Sequence, residues 1–330
     1  MSTDSPPKVL VALRPTGAEP PGLREKVDGL ADLRFVVDAG QIAAESEDVE
    51  AVFVWNFRST VVPDAVHRLP KLNWVHVAAV GVDASLSDEV RSRGIRFTNS
   101  RGVTAESMAE FALSFLLAFA KDLPRFTADK QARVWNPVET RMLSGSDLVV
   151  VGMGAVSREL ARRAQALGMT VTGVGRRPRT EPVEHFDSVV TQDELREVLG
   201  NADYVVLATP LTAKTEGMFG PEEFAAMSSE AVLVNIGRGP VVQEEALLQA
   251  LRSGGIRGAA LDVVPREPLA PDHELWSMQN VILTPHISAD FRGWEAAMVD
   301  LFIDNLRRWI DSRPLRNVVD LEMGYAPLDT

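Results

Sequence analysis

The sequence predicts an α/β protein made of two doubly wound parallel-sheet domains. The chain has 330 residues, and a single hydrophobic core stops growing near roughly 250–300 residues, so two cores are expected. Short apolar, β-branched segments alternate with helical patterns in two successive series, which is the signature of a parallel sheet. The second series opens on a strand that runs into a glycine-rich turn, as a dinucleotide-binding fold does.

The first series places strands at residues 9–13, 33–37, 51–55, 72–78 and 95–98. Residues 105–120 are apolar on most faces and read as a buried helix, whereas the polar stretch 121–136 lacks any strand signal and reads as an extended arm. The second series places strands at 148–151, 170–174, 187–190, 204–208, 231–236, 258–261 and 281–283. A last helix, about 294–310, follows the second sheet and either caps that domain or crosses back to the first. Neither internal repeats nor low-complexity segments interrupt the pattern.

Composition narrows the function. Hydrophobic residues make up 45% and charged residues 24% of the chain, ordinary for a globular protein, and no apolar run approaches the ~20 residues of a membrane span. Residues 1–7 are polar and the apolar run 9–13 is too short for a signal-peptide core, so a cytoplasmic address and no membrane partner are expected. Zero cysteines rule out disulfides and thiolate ligands, and five histidines without metal-binding spacing leave no metal expected. A net charge of −12 argues against a nucleic-acid surface.

Val149-Val150-Val151-Gly152-Met153-Gly154-Ala155-Val156-Ser157 is a strand entering a Gly-x-Gly-x-x-Ser turn, and 158–167 continue as an amphipathic helix. Gly152 permits the tight turn and Gly154 lets backbone approach a pyrophosphate. The amides of Ala155 and Val156 lie at the helix N-terminus, where the dipole favours negative charge. Ser157 departs from the third glycine but is small enough for helix–strand packing. An ordinary strand–turn–helix is the alternative. About 20 residues on, an acid would hold both ribose hydroxyls, yet Gly173-Val174-Gly175-Arg176-Arg177-Pro178-Arg179 contains none. Arg176 and Arg177 can pair with a 2′-phosphate, so NADP(H) is expected over NAD(H), which stays possible; a solvated basic turn is the alternative.

Downstream lie three polar side chains, each in its own frame: Arg238 in Val234-Asn235-Ile236-Gly237-Arg238-Gly239, Glu267 in Arg266-Glu267-Pro268-Leu269 and His286 in Thr284-Pro285-His286-Ile287. Arg238 and His286 follow strands, where doubly wound sheets place their ligand crevice. A planar guanidinium suits a bidentate carboxylate clamp, a surface ion pair being its plain alternative. An imidazole passes a proton, and a carboxylate partner favours its charged form.

Together these stretches resemble the D-isomer-specific 2-hydroxyacid dehydrogenase family, the glyoxylate and hydroxypyruvate reductases in particular. The matches run in order along nearly the whole chain: Ala79-Val80-Gly81-Val82-Asp83, Ala109-Glu110-Phe111-Ala112-Leu113, the phosphate loop, Ala208-Thr209-Pro210-Leu211-Thr212, the Arg238 segment, Ala260-Leu261-Asp262-Val263, and the Glu267 and His286 segments. The resemblance implies a flavodoxin-like substrate domain of residues 1–100 and 290–330. A Rossmann-type cofactor domain of residues 101–289 is inserted into it, and a homodimer is built on the helix at 105–120 and the arm to about 140. It implies reduction of a 2-oxo acid by hydride from the nicotinamide, with Arg238, Glu267 and His286 catalytic and domain closure excluding water. Arg238 and His286 would face cofactor and substrate, and Thr209, Pro210, Ile236 and Gly237 would border the cofactor. Asp262 would sit near the nicotinamide carboxamide, or cap a helix. The amides of Val80 and Gly81 would hold the substrate carboxylate, or form a plain strand-to-helix turn.

Within the family, Glu267 argues against the formate dehydrogenases, which carry glutamine there. An ending soon after Val319 argues against the phosphoglycerate dehydrogenases with a regulatory domain, and the missing acid against many D-lactate dehydrogenases. A reductase of small 2-oxo acids such as glyoxylate or hydroxypyruvate is the favoured reading. A dinucleotide-sensing, corepressor-like protein with little turnover is the alternative. Trp55, Asn56, Phe57 and Arg58 follow a strand of the substrate domain and could meet the substrate, and Trp135 could reach a partner's cleft, but simple packing is the favoured reading for both.

Overall fold

A computed structural model describes residues 5–42, 44–178, 181–322 and 325–326. The chain divides into two compact units, residues 1–103 with 292–330, and residues 104–291. The second unit is thus inserted, in sequence, into the first.

Unit 1 carries strands β1 (Lys8–Ala12), β2 (Asp32–Val36), β3 (Val49–Val54), β4 (Trp74–Val77) and β5 (Arg96–Asn99), with short helices α1 (Leu23–Val27), α2 (Val61–Ala65) and α3 (Asp88–Ser92) between them. All pairings are parallel and the strand order is β2-β1-β3-β4-β5, the flavodoxin-like order. Each face buries its own hydrophobic cluster, one centred on Val52, Val75 and Phe97 and the other on Phe53, Trp74 and Phe302. Strands covered on both faces have no polar side to alternate with, which is why β1 and β3 read as near-continuous apolar runs. The C-terminal helix, Trp294–Ile310, belongs to this unit. Phe302 stacks on Phe53 with ring centroids 4.1 Å apart and on Trp74 at 5.6 Å.

Unit 2 opens with α4 (Ala105–Ala120) and α5 (Leu123–Ala132). Its sheet is built from β6 (Asp147–Val151), β7 (Thr170–Gly175), β8 (Ser188–Thr191), β9 (Tyr204–Leu207), β10 (Val232–Asn235), β11 (Gly258–Leu261) and β12 (Val281–Leu283), with helices α6 (Ala155–Ala166), α7 (Leu195–Leu199), α8 (Pro221–Ala226) and α9 (Glu244–Ser253). The order is β12-β11-β10-β9-β6-β7-β8, parallel throughout. This is the dinucleotide-binding topology, with its switch point between β6 and β9.

The sequence misplaced one element. Residues 121–136 read as an extended arm, but Leu123–Ala132 is a helix. No residue of α5 is buried, so it has no apolar stripe to betray it. Local terms hold it instead: Pro124 in its first turn, an Arg125–Asp129 ion pair at 3.8 Å and a bond from Thr127 Oγ1 to the Leu123 carbonyl at 2.8 Å.

Candidate active site

Every strand of the unit 2 sheet runs the same way, so the residues that follow each strand share one edge. Along the strand order, that edge carries His286 after β12, Asp262 after β11, Arg238 after β10, Thr209 after β9, Gly152 after β6 and Arg176 after β7. Residues scattered over more than a hundred positions of sequence are collected here by topology.

The loops of this edge are packed backbone against backbone. Gly152 sits at φ +108°, and a Cβ there would lie 2.7 Å from the Ala208 carbonyl oxygen; no other residue fits. A Cβ on Gly237 would lie 2.8 Å from the Thr209 carbonyl oxygen, so the Thr209 and Gly237 loops abut. Pro210 is fixed from behind by Thr215 Oγ1, which donates to its carbonyl at 2.6 Å.

Around Gly154 the backbone faces open space, and α6 starts at Ala155 with Val156 in its first turn, leaving amides pointing outward. Ser157 is fully buried against the sheet. A strand end, an unobstructed turn and a helix N-terminus fit a dinucleotide pyrophosphate. Arg176 and Arg177 lie exposed just beyond Gly175; Arg179 falls outside the described residues.

The structure brings His286 and Glu267 together. His286 Nδ1 and Glu267 Oε2 are 2.8 Å apart, and about four-fifths of each side chain is buried. Glu267 Oε1 accepts from the Val264 amide at 3.2 Å, so the carboxylate is held as well as holding. With an acceptor on Nδ1, that nitrogen carries the proton, and Nε2 lies on the opposite side of the ring from Glu267.

Asp262 caps no helix. It is 2% exposed, and its carboxylate accepts from Thr284 Oγ1 at 2.6 Å, Ile287 N at 2.9 Å and Ser288 N at 3.0 Å. Its carbonyl takes the His286 amide at 2.8 Å. That network wraps the loop around the side chain and holds His286 in the left-handed region at φ +58°, an unfavourable conformation that persists only where its surroundings dictate it.

Asn235 does the corresponding task for Arg238. Its Oδ1 accepts from Gly237 N at 3.1 Å and its Nδ2 donates to the Arg238 carbonyl at 3.1 Å. Sequence reading gave Asn235 no role, although the signal was present: a polar residue closing an apolar strand must find partners when buried. Ile236, fully buried, donates its amide to the Leu207 carbonyl at 3.1 Å.

In unit 1, residues 79–81 follow β4 and are half-buried. A short 3₁₀ turn, Asp83–Ser85, comes next rather than a full helix. Trp55 is packed beneath the surface at 3% exposure, stacked on Trp294 with Arg14 over both rings. Trp135 of unit 2, by contrast, is 96% exposed.

The chain is similar to known proteins in sequence and in fold. The family model described as D-isomer specific 2-hydroxyacid dehydrogenase, NAD binding domain, matches residues 113–288. The D-3-phosphoglycerate dehydrogenase of Methanocaldococcus jannaschii is 32% identical over 272 residues, which are 82% of this chain and 52% of that protein, so the match spans about half of that relative. Glyoxylate/hydroxypyruvate reductase B of Escherichia coli is 33% identical over 261 residues, 77% of this chain and 80% of that one. The solved structure of a D-isomer specific 2-hydroxyacid dehydrogenase from Xanthobacter autotrophicus Py2, in complex with NADPH and MES, has a TM-score of 0.84 at 30% identity, covering 97% of this chain and 100% of that chain. The chain therefore belongs to the D-isomer specific 2-hydroxyacid dehydrogenases, a family of NAD(P)-dependent oxidoreductases.

Proposed function

We propose that this protein is an NADPH-preferring reductase of small 2-oxo acids of the glyoxylate and hydroxypyruvate kind. The observation that carries the reading is the 2.8 Å contact between His286 Nδ1 and Glu267 Oε2, on the same sheet edge as Arg238 and the phosphate loop. Gly152, Gly154 and the amides of Ala155 and Val156 hold the pyrophosphate in this reading. Thr209, Pro210, Ile236, Gly237 and Asp262 line the rest of the cofactor. A nicotinamide held there would supply the hydride for C2 of the substrate.

The residues of the chain do the remainder. The Arg238 guanidinium forms a bidentate pair with the substrate carboxylate. In the reductive direction His286 gives its Nε2 proton to the 2-oxygen while its Nδ1 proton stays hydrogen-bonded to Glu267, which holds the ring in place. In the oxidative direction the neutral ring takes that proton back. Val80 and Gly81 of unit 1 offer amide donors suited to a substrate carboxylate. Preference for NADPH is supported by a β7 end without an acid and by the two exposed arginines after it, and the substrate class by the names of the relatives. A homodimer formed through α4 and the segment after it is supported by the exposed apolar side chains Leu117, Leu123, Val134, Trp135 and Met142.

The test is loss of reduced-nicotinamide absorbance with NADPH and NADH in parallel, against glyoxylate, hydroxypyruvate, pyruvate and a bulky aromatic 2-oxo acid. Turnover with NADPH and a small substrate is expected, and His286→Ala should lower kcat by roughly 10²–10⁴-fold with NADPH affinity retained. Silence with every pair overturns the reductase reading, and unimpaired reduction by His286→Ala at neutral pH overturns the acid role.

A further inference from the structure

The loop after β4 owes its orientation to a residue that neither the motifs nor the family comparison singles out. The Ala79 carbonyl accepts from the Ser100 amide at 2.8 Å, and the Val80 carbonyl accepts from Asn99 Nδ2 at 2.6 Å. Both peptides of the loop are trans. In a trans peptide the carbonyl and the next N–H point in opposite directions, so tying both carbonyls to the end of β5 turns the Val80 and Gly81 N–H groups the other way. Neither N–H donates to any group among the described residues. Two adjacent, half-buried N–H groups with fixed dipoles are suited to donate to an anion.

Asn99 is itself immobilised. It is 1% exposed, and its Oδ1 accepts from the Arg101 amide at 3.2 Å, which leaves Nδ2 as the atom facing Val80. Its backbone is clamped by Asn317: the Asn99 N–H donates to the Asn317 carbonyl and the Asn317 Nδ2 donates to the Asn99 carbonyl, both at 3.2 Å.

We infer that Asn99 is a positioning residue, whose carboxamide holds the Val80–Gly81 peptide so that the Val80 and Gly81 amides face the substrate carboxylate. The inference rests on the 2-oxo acid reductase reading. Without Nδ2 the peptide is free to rotate, and rotation would present the Val80 carbonyl, a negative dipole end, to an anion. Binding of the substrate suffers; the proton donor and its carboxylate partner, which belong to the other unit, do not.

Steady-state kinetics of Asn99→Asp separate the possibilities, since this variant keeps the shape and the Oδ1 acceptor but loses the donor. KM for the 2-oxo acid should rise about tenfold, the worth of one hydrogen bond to a charged group, with kcat within about twofold and KM for NADPH unchanged. Asn99→Ser, small enough for the same space and too short to reach Val80, should give the same rise if a buried carboxylate unfolds unit 1. An unchanged KM in a variant that folds overturns the inference alone. So does a parallel fall of kcat, cofactor affinity and thermal midpoint, which would mark Asn99 as merely structural. No turnover by the unaltered protein with any 2-oxo acid overturns the reductase reading and this inference with it.

Discussion

Asn235 and Asn99 each close a buried parallel strand, β10 in unit 2 and β5 in unit 1, and each spends its carboxamide on a loop. Asn235 serves its own loop, two and three residues ahead. Asn99 reaches back 19 residues to the loop of the neighbouring strand. The loop held by Asn235 presents a charged side chain, Arg238, whereas the loop held by Asn99 presents bare backbone. A side chain carries its chemistry wherever its strand ends; a backbone amide acts only if something external fixes its direction. The loop that presents Arg238 is therefore wired locally, and the loop that presents bare amides is wired across strands.

The largest effect that sharpens this contrast is expected at Asp262. In Asp262→Asn the amide group would confront the Ser288 N–H or one of the other two donors now satisfied by the carboxylate. An orphaned buried donor costs about 1–3 kcal/mol, and here it would release a loop whose histidine sits at φ +58°. The expected outcome is a fall in kcat of roughly a hundredfold, as misplacement of a reacting group by about 1 Å produces, with KM for the 2-oxo acid little changed. Asn99 variants should do the reverse. Rapid kinetics on both sets would break the contrast if Asp262→Asn raised KM alone.

The same distinction explains what could be read from sequence. β11 and β12 were placed residue for residue, as was α4, because apolar runs and helical periodicity are local signals. The site loops were legible because each motif sits directly after a strand end, so parallel topology alone assembles Arg238, Asp262 and His286 on one edge. Helix α5 was missed because it buries nothing. The place of the C-terminal helix was open because its partners, Phe53 and Trp74, lie more than two hundred residues upstream of Phe302. The Asn99–Val80 bond was illegible for a related reason: which carbonyl an asparagine finds depends on strand order, and strand order is a tertiary fact.

An intermediate effect is expected from acid, and it should fall on unit 1. His76 on β4 is fully buried among the Phe53, Trp74 and Phe302 rings, with the Thr98 hydroxyl 2.8 Å from Nδ1 and the Ser100 hydroxyl 3.3 Å from Nε2. Burial pushes its imidazole down from 6.5 to about 3. Below 6.5 the unfolded chain binds a proton that the native histidine refuses, so its contribution is whole above 6.5 and is lost as pH falls toward 3. At pH 5 the loss is about 2 kcal/mol. His76→Gln should flatten that part of the stability curve, measured as the unfolding midpoint in urea from pH 5 to 8 by near-UV circular dichroism. A loss at pH 5 as steep in His76→Gln as in the unaltered protein would remove His76 from the account.

The smallest effect belongs to the residues whose role was easiest to read. Arg176 and Arg177 are exposed beyond β7, where any pairing with a 2′-phosphate is shared with water and screened by salt. Each replacement by alanine should raise KM for NADPH only about three- to tenfold, as a partly screened charge-assisted bond does, and leave KM for NADH unchanged. The ratio of the two constants should also shrink as ionic strength rises from 0.01 M to 0.5 M, because the Debye length falls from about 30 Å to a few Å. Equal loss toward NADPH and NADH would mean that the arginines shape the turn rather than meet a phosphate. In that case selectivity would stem from the β7 end itself, and Gly175→Asp, which restores an acid at that end, should move preference toward NADH.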